Sequence, residues 1–304
     1  MPKWLFMLVL LLIAGSVHAQ DGDLAAGTLT FESLTRAYFI HVPDDLETPA
    51  PLVIALHPRF GDGESMAMYT GFNTVADREG FIVAYPNAVS GEWNFVRDIP
   101  GYSTAHDDTA FLNALVDHLA ADHAIDMTRV YLAGFSNGGF MAERVACEDP
   151  ARFAAFATVA AAGFGGMFEV CMEPGDFTAP MLLMHGTADR NIPWEGTPVR
   201  REGQTIYITY PVGETLGYWA AVNGCSPDAE TTDVPQLGMS PGTSVRVVAL
   251  DCPENAQVVV YGIVGGGHAW PRTDQIDLPE QGAVNRDIDA AAEIWKFFEQ
   301  HSRP

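Results

Sequence analysis

A serine set between glycines, Gly134-Phe135-Ser136-Asn137-Gly138, directly follows the apolar run Arg129-Val130-Tyr131-Leu132-Ala133. No other feature constrains the fold of this chain as strongly. A strand that turns abruptly into a helix needs small residues beside the turn, because a side chain there collides with the backbone of the other element. The residues after Gly139, Phe140 to Ala146, are rich in helix formers. The pattern predicts strand, sharp turn and helix, with Ser136 at the apex. A glycine-rich turn whose serine only caps a helix has the same local appearance, so partners elsewhere must decide.

A serine hydroxyl attacks carbonyl carbon only with a histidine base to take its proton and a carboxylate to orient the base. In strand-turn-helix hydrolases the acid and then the histidine follow the serine in the chain. Pro180-Met181-Leu182-Leu183-Met184 reads as a buried strand running into His185-Gly186-Thr187-Ala188-Asp189. Gln257 to Val264 reads as another, ending in Gly265-Gly266-Gly267-His268-Ala269-Trp270-Pro271. Asp189 and His268 are thus the expected acid and base, each just past a strand. A turn aspartate and an ordinary loop histidine are the plainer readings of each alone. Asp251 and Glu195 are the alternative acids. His185 is expected to support the Asp189 loop; His118, His123 and His301 lie on or beside predicted helices, and His18 lies near the N-terminus.

Stabilising a tetrahedral intermediate requires backbone N–H groups aimed at the developing oxyanion. The amide of Asn137, next after the serine, is the first candidate donor. The second should come from a loop after an early strand, and Pro51 to Leu56 runs into His57-Pro58-Arg59-Phe60-Gly61. Pro58 has no N–H, so the amide of Arg59 is preferred. The Arg59 side chain lines the mouth of the site or is a solvated surface arginine.

With these segments in view, the chain resembles the polyhydroxybutyrate depolymerase and feruloyl esterase group of secreted α/β-hydrolases. Further matching segments are Thr70-Gly71-Phe72, Ala76 to Pro86, Trp93-Asn94, Asp107-Asp108 with Phe111-Leu112, and Asn285 to Ala290. The resemblance spans nearly all of the chain after the N-terminal segment. It implies hydrolysis of carboxylic esters through Ser136, Asp189 and His268, on hydroxycinnamoyl esters or hydroxyalkanoate polyesters and oligomers. The sequence departs from the group where its loop usually reads His-Gly: Pro58 replaces that glycine, and Phe60 stands where another is common. Both changes would reshape the acyl pocket.

Strands and helices alternate along the chain, predicting an α/β fold: a mostly parallel sheet with helices on both faces. Arg36 to Val42 alternates like an antiparallel edge strand. Apolar residues from Phe111 to Leu119 recur at helical spacing, predicting a helix over Asp108 to His123 capped by the aspartates at its start. A last helix is expected over Asn285 to Gln300.

Residues 1–19 read as a signal peptide: Lys3, an apolar run from Trp4 to Ala14, then Val17-His18-Ala19 before a cleavage point. Residues 20–304 read as one catalytic domain, exported to an extracellular or periplasmic compartment. Four cysteines allow three pairings, and local pairing, Cys147 with Cys171 and Cys225 with Cys252, is preferred over free thiols. Cys225 and Cys252 flank a stretch that reads as irregular. The formal charge of −23 argues against electrostatic binding to nucleic acid or to anionic membrane.

Trp93 and Trp270 are candidate walls of the substrate cleft with Phe60, core packing being the alternative for both tryptophans. No cofactor or metal is required by this chemistry. The same triad also serves a peptidase or an acyltransferase, and a secreted binding protein that has lost activity is the non-enzymatic alternative.

Overall fold

The computed structural model describes residues 24–96, 106–167, 171, 177–201 and 204–304. The expected signal peptide over 1–19 lies outside them. The strands in chain order are β1 (Ala25–Phe31), β2 (Leu34–His41), β3 (Ala50–Leu56), β4 (Ile82–Pro86), β5 (Ile125–Phe135) and β6 (Ala155–Val159). They continue with β7 (Met181–Gly186), β8 (Thr197–Arg201), β9 (Gln204–Thr209), β10 (Ala229–Asp233), β11 (Ser244–Leu250) and β12 (Val258–Val264). The helices are α1 (Gly63–Thr70), α2 (Phe72–Glu79), α3 (Asp108–Asp122), α4 (Asn137–Glu148), α5 (Val212–Val222) and α6 (Ala290–Phe298).

Ten strands form one sheet in the order β1-β2-β4-β3-β5-β6-β7-β12-β11-β10, and β8 and β9 pair apart as a hairpin. The six central strands, β4 to β12 in that order, run parallel. Antiparallel pairs extend both flanks. All seven residues of β3 are buried, as a strand covered on both faces requires. The period of two divides its side chains between two cores. Leu52, Ile54 and Leu56 pack with Phe111, Leu112 and Leu115 of α3 and with Phe140, Met141 and Val145 of α4. Val53 and Ala55 pack with Met66 of α1, Phe72 and Val75 of α2, and Ile294, Trp295 and Phe298 of α6.

The predicted α/β layering is therefore present, with three corrections. The strand predicted over Arg36 to Val42 is antiparallel but not at the edge, since β1 pairs outside it. The stretch between Cys225 and Cys252 is not irregular; it holds β10 and β11, paired from Ala229↔Leu250 to Asp233↔Arg246. The last helix begins at Ala290, where the Asp289 carboxylate accepts from the Ala292 amide at 3.1 Å. At α3, Asp107 is the cap, accepting from the Ala110 amide at 3.0 Å. Asp108 has a different use, described below.

Cys147 is bonded to Cys171, and Cys225 to Cys252, which is the preferred local pairing. The first bond ties down the far end of α4. Among the described residues, no helix is long and apolar enough to cross a membrane.

Glu143 lies in the middle of α4, wholly buried, and its carboxyl oxygens make no hydrogen bond of ordinary geometry among the described residues. Burial pushes its pKa up to about 8, opposed weakly by the Gly163 amide and the Trp219 indole. The folded protein thus holds a proton that the unfolded chain, with an ordinary carboxyl, releases. Stability from this group is present at acid pH and is lost as pH rises through the window from the ordinary value toward 8. Glu143→Gln should therefore gain on the wild type in melting temperature by a few degrees per pH unit between about pH 5 and 8. A constant difference across that range would show that Glu143 is ionised in the folded state.

Candidate active site

Parallel strands deliver all their C-terminal ends to one edge of the sheet, where loops from several strands meet. Ser136 follows β5, Asp189 follows β7, His268 follows β12, and the His57 to Gly61 loop follows β3.

Ser136 adopts φ 53° and ψ −115°, a conformation that L-residues rarely hold without support from their surroundings. The support comes from close backbone contact. A Cβ at Gly134 would lie 2.1 Å from the Gly138 carbonyl oxygen, and one at Gly138 would lie 2.3 Å from that of Leu56 and 2.7 Å from that of His57. The helix can begin against the end of β3 only because these positions carry no side chain. The Ser136 amide donates to Val159 of β6 at 2.9 Å, pinning the apex from the other side.

The three residues singled out from sequence come together. His268 Nδ1 lies 2.8 Å from Asp189 Oδ2, and His268 Nε2 lies 2.9 Å from Ser136 Oγ. A carboxylate only accepts, so Nδ1 carries the proton and Nε2 is left to accept from the serine hydroxyl. The second Asp189 oxygen accepts from the amides of Asn191 at 2.8 Å and Ile192 at 2.9 Å. These bonds compensate a carboxylate wholly shielded from solvent. The loops bearing acid and base are joined directly, through Ala188 N–H to Gly266 O and Thr187 N–H to Ile263 O, each at 2.9 Å. Among the described residues, neither alternative acid, Asp251 or Glu195, has a hydrogen bond or ion pair to His268, which pairs with Asp189.

His185 supports the acid loop from below, its Nε2 lying 2.8 Å from the Ile192 carbonyl. Burial lowers its pKa, so it stays neutral and adds no charge beside Asp189.

The β3 loop is tied down at several points. The Phe60 amide donates to Gly91 at 2.8 Å and the Gly61 amide to Pro58 at 3.0 Å. The Arg59 amide has no acceptor among the described residues, and the Asn137 amide, first in its helix, has no acceptor in a preceding turn. The Arg59 guanidinium pairs with Glu92 at 3.0 Å and lies 4.8 Å from the Phe60 ring centre. Phe60 itself is 80% exposed, with φ 63°.

The two tryptophans are not cleft walls. Trp270 is fully buried against Phe72 and Phe135, with ring centres 5.8 and 6.2 Å away. Trp93 is 1% exposed and hydrogen-bonded on both sides. Their large apolar surface is used inside the cores. Sequence reasoning missed a cluster one helical turn beyond Ser136, where Phe140 stacks on Phe95 at 4.9 Å and Phe95 meets Phe164 edge-on at 5.4 Å. The four-residue step from Ser136 to Phe140 was the available signal. It also missed the use of Asp108, whose carboxylate pairs with Arg36 at 2.6 Å inside the protein. Among the described residues, no group of three metal-ligating side chains is positioned to hold an ion.

The sequence profile of the family described as Esterase PHB depolymerase matches residues 34–185, half of the chain. The chain belongs to this family. Feruloyl esterase B of Thermothelomyces thermophilus is 33% identical over 232 residues, covering 66% of this chain and 75% of that protein. Feruloyl esterase C of Emericella nidulans is 28% identical, covering 77% and 76%. Poly(3-hydroxyalkanoate) depolymerase C of Paucimonas lemoignei is 29% identical over 77% of this chain and 58% of that protein. The acetyl xylan esterase structure from Aspergillus awamori superposes with a TM-score of 0.61 over 91% of this chain and 99% of its own, at 18% identity. The fold is that of the α/β-hydrolases, and the enzyme class is ester hydrolase, as the sequence predicted.

Gly138→Ala tests the close approach that the site is built on. Its Cβ meets backbone carbonyls that cannot rotate away, so the variant should lose about 1–3 kcal/mol of stability and most of its esterase activity. Thermal denaturation and ester turnover together check this, and wild-type values in both would show that the elbow has room to spare.

Proposed function

We propose that this chain is a secreted serine esterase that cleaves carboxylic esters through an acyl-enzyme on Ser136. The observation that carries the reading is the continuous hydrogen-bonded line from Asp189 through His268 to Ser136 Oγ. His268 takes the Ser136 proton as the oxygen attacks the ester carbonyl, and Asp189 holds the ring and stabilises the imidazolium. The amides of Asn137 and Arg59 meet the oxyanion of the tetrahedral intermediate. Its collapse expels the alcohol with the proton from His268. Water, deprotonated by the same imidazole, then releases the acid and restores Ser136.

The substrate classes proposed are hydroxycinnamoyl esters and soluble hydroxyalkanoate oligomers, a reading supported by relatives named feruloyl esterase and poly(3-hydroxyalkanoate) depolymerase. The exposed Phe60 ring and the partly exposed Phe95 are the proposed contacts to the substrate. Export with removal of residues 1–19, leaving one catalytic domain over 20–304, is supported by the leader-like sequence and by the two disulfides.

A fluorophosphonate probe should label the wild type and leave Ser136→Ala unlabelled. Equal labelling of both would overturn the assignment of Ser136 as the nucleophile, and labelling of neither would overturn the hydrolase reading and favour an inactive binding protein. With methyl ferulate, hydroxybutyrate oligomers and peptide amides offered side by side, turnover is expected on the esters. Cleavage of the amides alone would make the enzyme a peptidase.

A further inference from the structure

An oxyanion hole made from Arg59 and Asn137 draws one donor from the loop after β3 and the other from the first turn of α4, so something must hold the two at a fixed separation. The structure puts one residue, Trp93, between them. Its backbone N–H donates to Asn137 Oδ1 at 2.8 Å, and its carbonyl accepts from Asn137 Nδ2 at 3.4 Å. This grips the side chain of the residue whose own amide is one donor. Its indole Nε1–H donates to the His57 carbonyl at 3.0 Å, where the loop carrying Arg59 leaves β3.

The surroundings of Trp93 are themselves fixed. The indole packs near the His57 imidazole, 5.2 Å between ring centres, and near the Arg36 guanidinium, 5.4 Å away. The Ala88 amide donates to His57 Nε2 at 2.9 Å, so Nδ1 carries the proton and donates to the Pro58 carbonyl at 2.8 Å. Burial lowers the pKa of His57 and keeps this neutral form in place. On the other side of Trp93, the Asn94 amide donates to Asp108 Oδ2 at 2.7 Å, and the other Asp108 oxygen takes the Arg36 ion pair. Arg36 also donates to the Asn87 carbonyl at 2.9 and 3.1 Å. A buried ion pair that loses a partner leaves an uncompensated charge, so this anchor has little freedom to move.

We propose that Trp93 is a positioning residue of the oxyanion hole, setting the placement of the Arg59 and Asn137 amides through the His57 carbonyl and the Asn137 side chain. The inference rests on the reading of those amides as the oxyanion donors. Donor groups fixed before reaction stabilise the charge that develops, and a misplacement of about 1 Å costs on the order of 100-fold in rate. Trp93 acts on the intermediate and not on ground-state binding, which separates it from a cleft wall.

Two variants test this with p-nitrophenyl butyrate as substrate and an alkyl boronic acid, which forms a tetrahedral adduct on serine. Trp93→Phe keeps a ring in the core and removes the indole donor. Asn137→Ala keeps the donating amide and removes only the tether. Each should lower kcat by roughly 10- to 100-fold with KM within about twofold, and boronate affinity should fall by the same factor as kcat. Melting temperatures identify folded protein, and if Trp93→Phe does not fold, Asn137→Ala decides alone. Folded variants with wild-type kcat and boronate affinity overturn the inference, as does a raised KM with kcat unchanged. A wild type that neither hydrolyses the ester nor binds the boronate overturns the esterase mechanism itself, and the inference with it.

Discussion

Everything at the C-terminal edge of this sheet is arranged around the closeness with which α4 begins beside the end of β3. Gly138 sits where a Cβ would touch the Leu56 and His57 carbonyl oxygens. Because the two backbones meet there, the amide of Asn137 and the loop from His57 to Gly61 share one small volume. Ser136, two residues before that contact, holds its unusual backbone conformation. Local strain of this kind persists only where the surroundings over-determine it. Here they do so through the Val159 hydrogen bond, the packing of α4 and the disulfide at its far end.

Buried charge is handled in three different ways in the same molecule. Asp189 is satisfied by two amides and an imidazole, and Asp108 by Arg36 and the Asn94 amide. Glu143 has no hydrogen bond of ordinary geometry among the described residues, and burial raises its pKa against the weaker pull of the Gly163 amide and the Trp219 indole, so the proton stays on. The outcome in each case follows from how many donors lie within hydrogen-bonding distance of the carboxyl group.

The meeting of Ser136, Asp189 and His268 was legible because each lies within a few residues of an apolar strand end, and parallel strands bring those ends together. The role of Trp93 was not. An aromatic residue after a strand looks the same whether it faces solvent or core, and the groups that decide, His57 and Asn137, lie 36 and 44 residues away. Asp108 reads as a second cap because its partner Arg36 is 72 residues distant. The β10 strand, Ala229 to Asp233, is exposed at every position and so carries no alternation to detect. The glycines were legible as small residues, but which backbone each one admits depends on packing between elements.

The placement of β12 has a consequence for how the chain acquires its chemistry. His268 meets Ser136 across 132 residues and Asp189 across 79. The hairpin β8-β9, helix α5 and the β10-β11 pair all intervene before β12 returns to lie beside β7. Closing loops of such length costs chain entropy before the contacts between their ends repay it. A polypeptide growing from its N-terminus holds its nucleophile well before it has a base to activate it. Catalytic competence therefore cannot precede the synthesis of β12 and its pairing with β7.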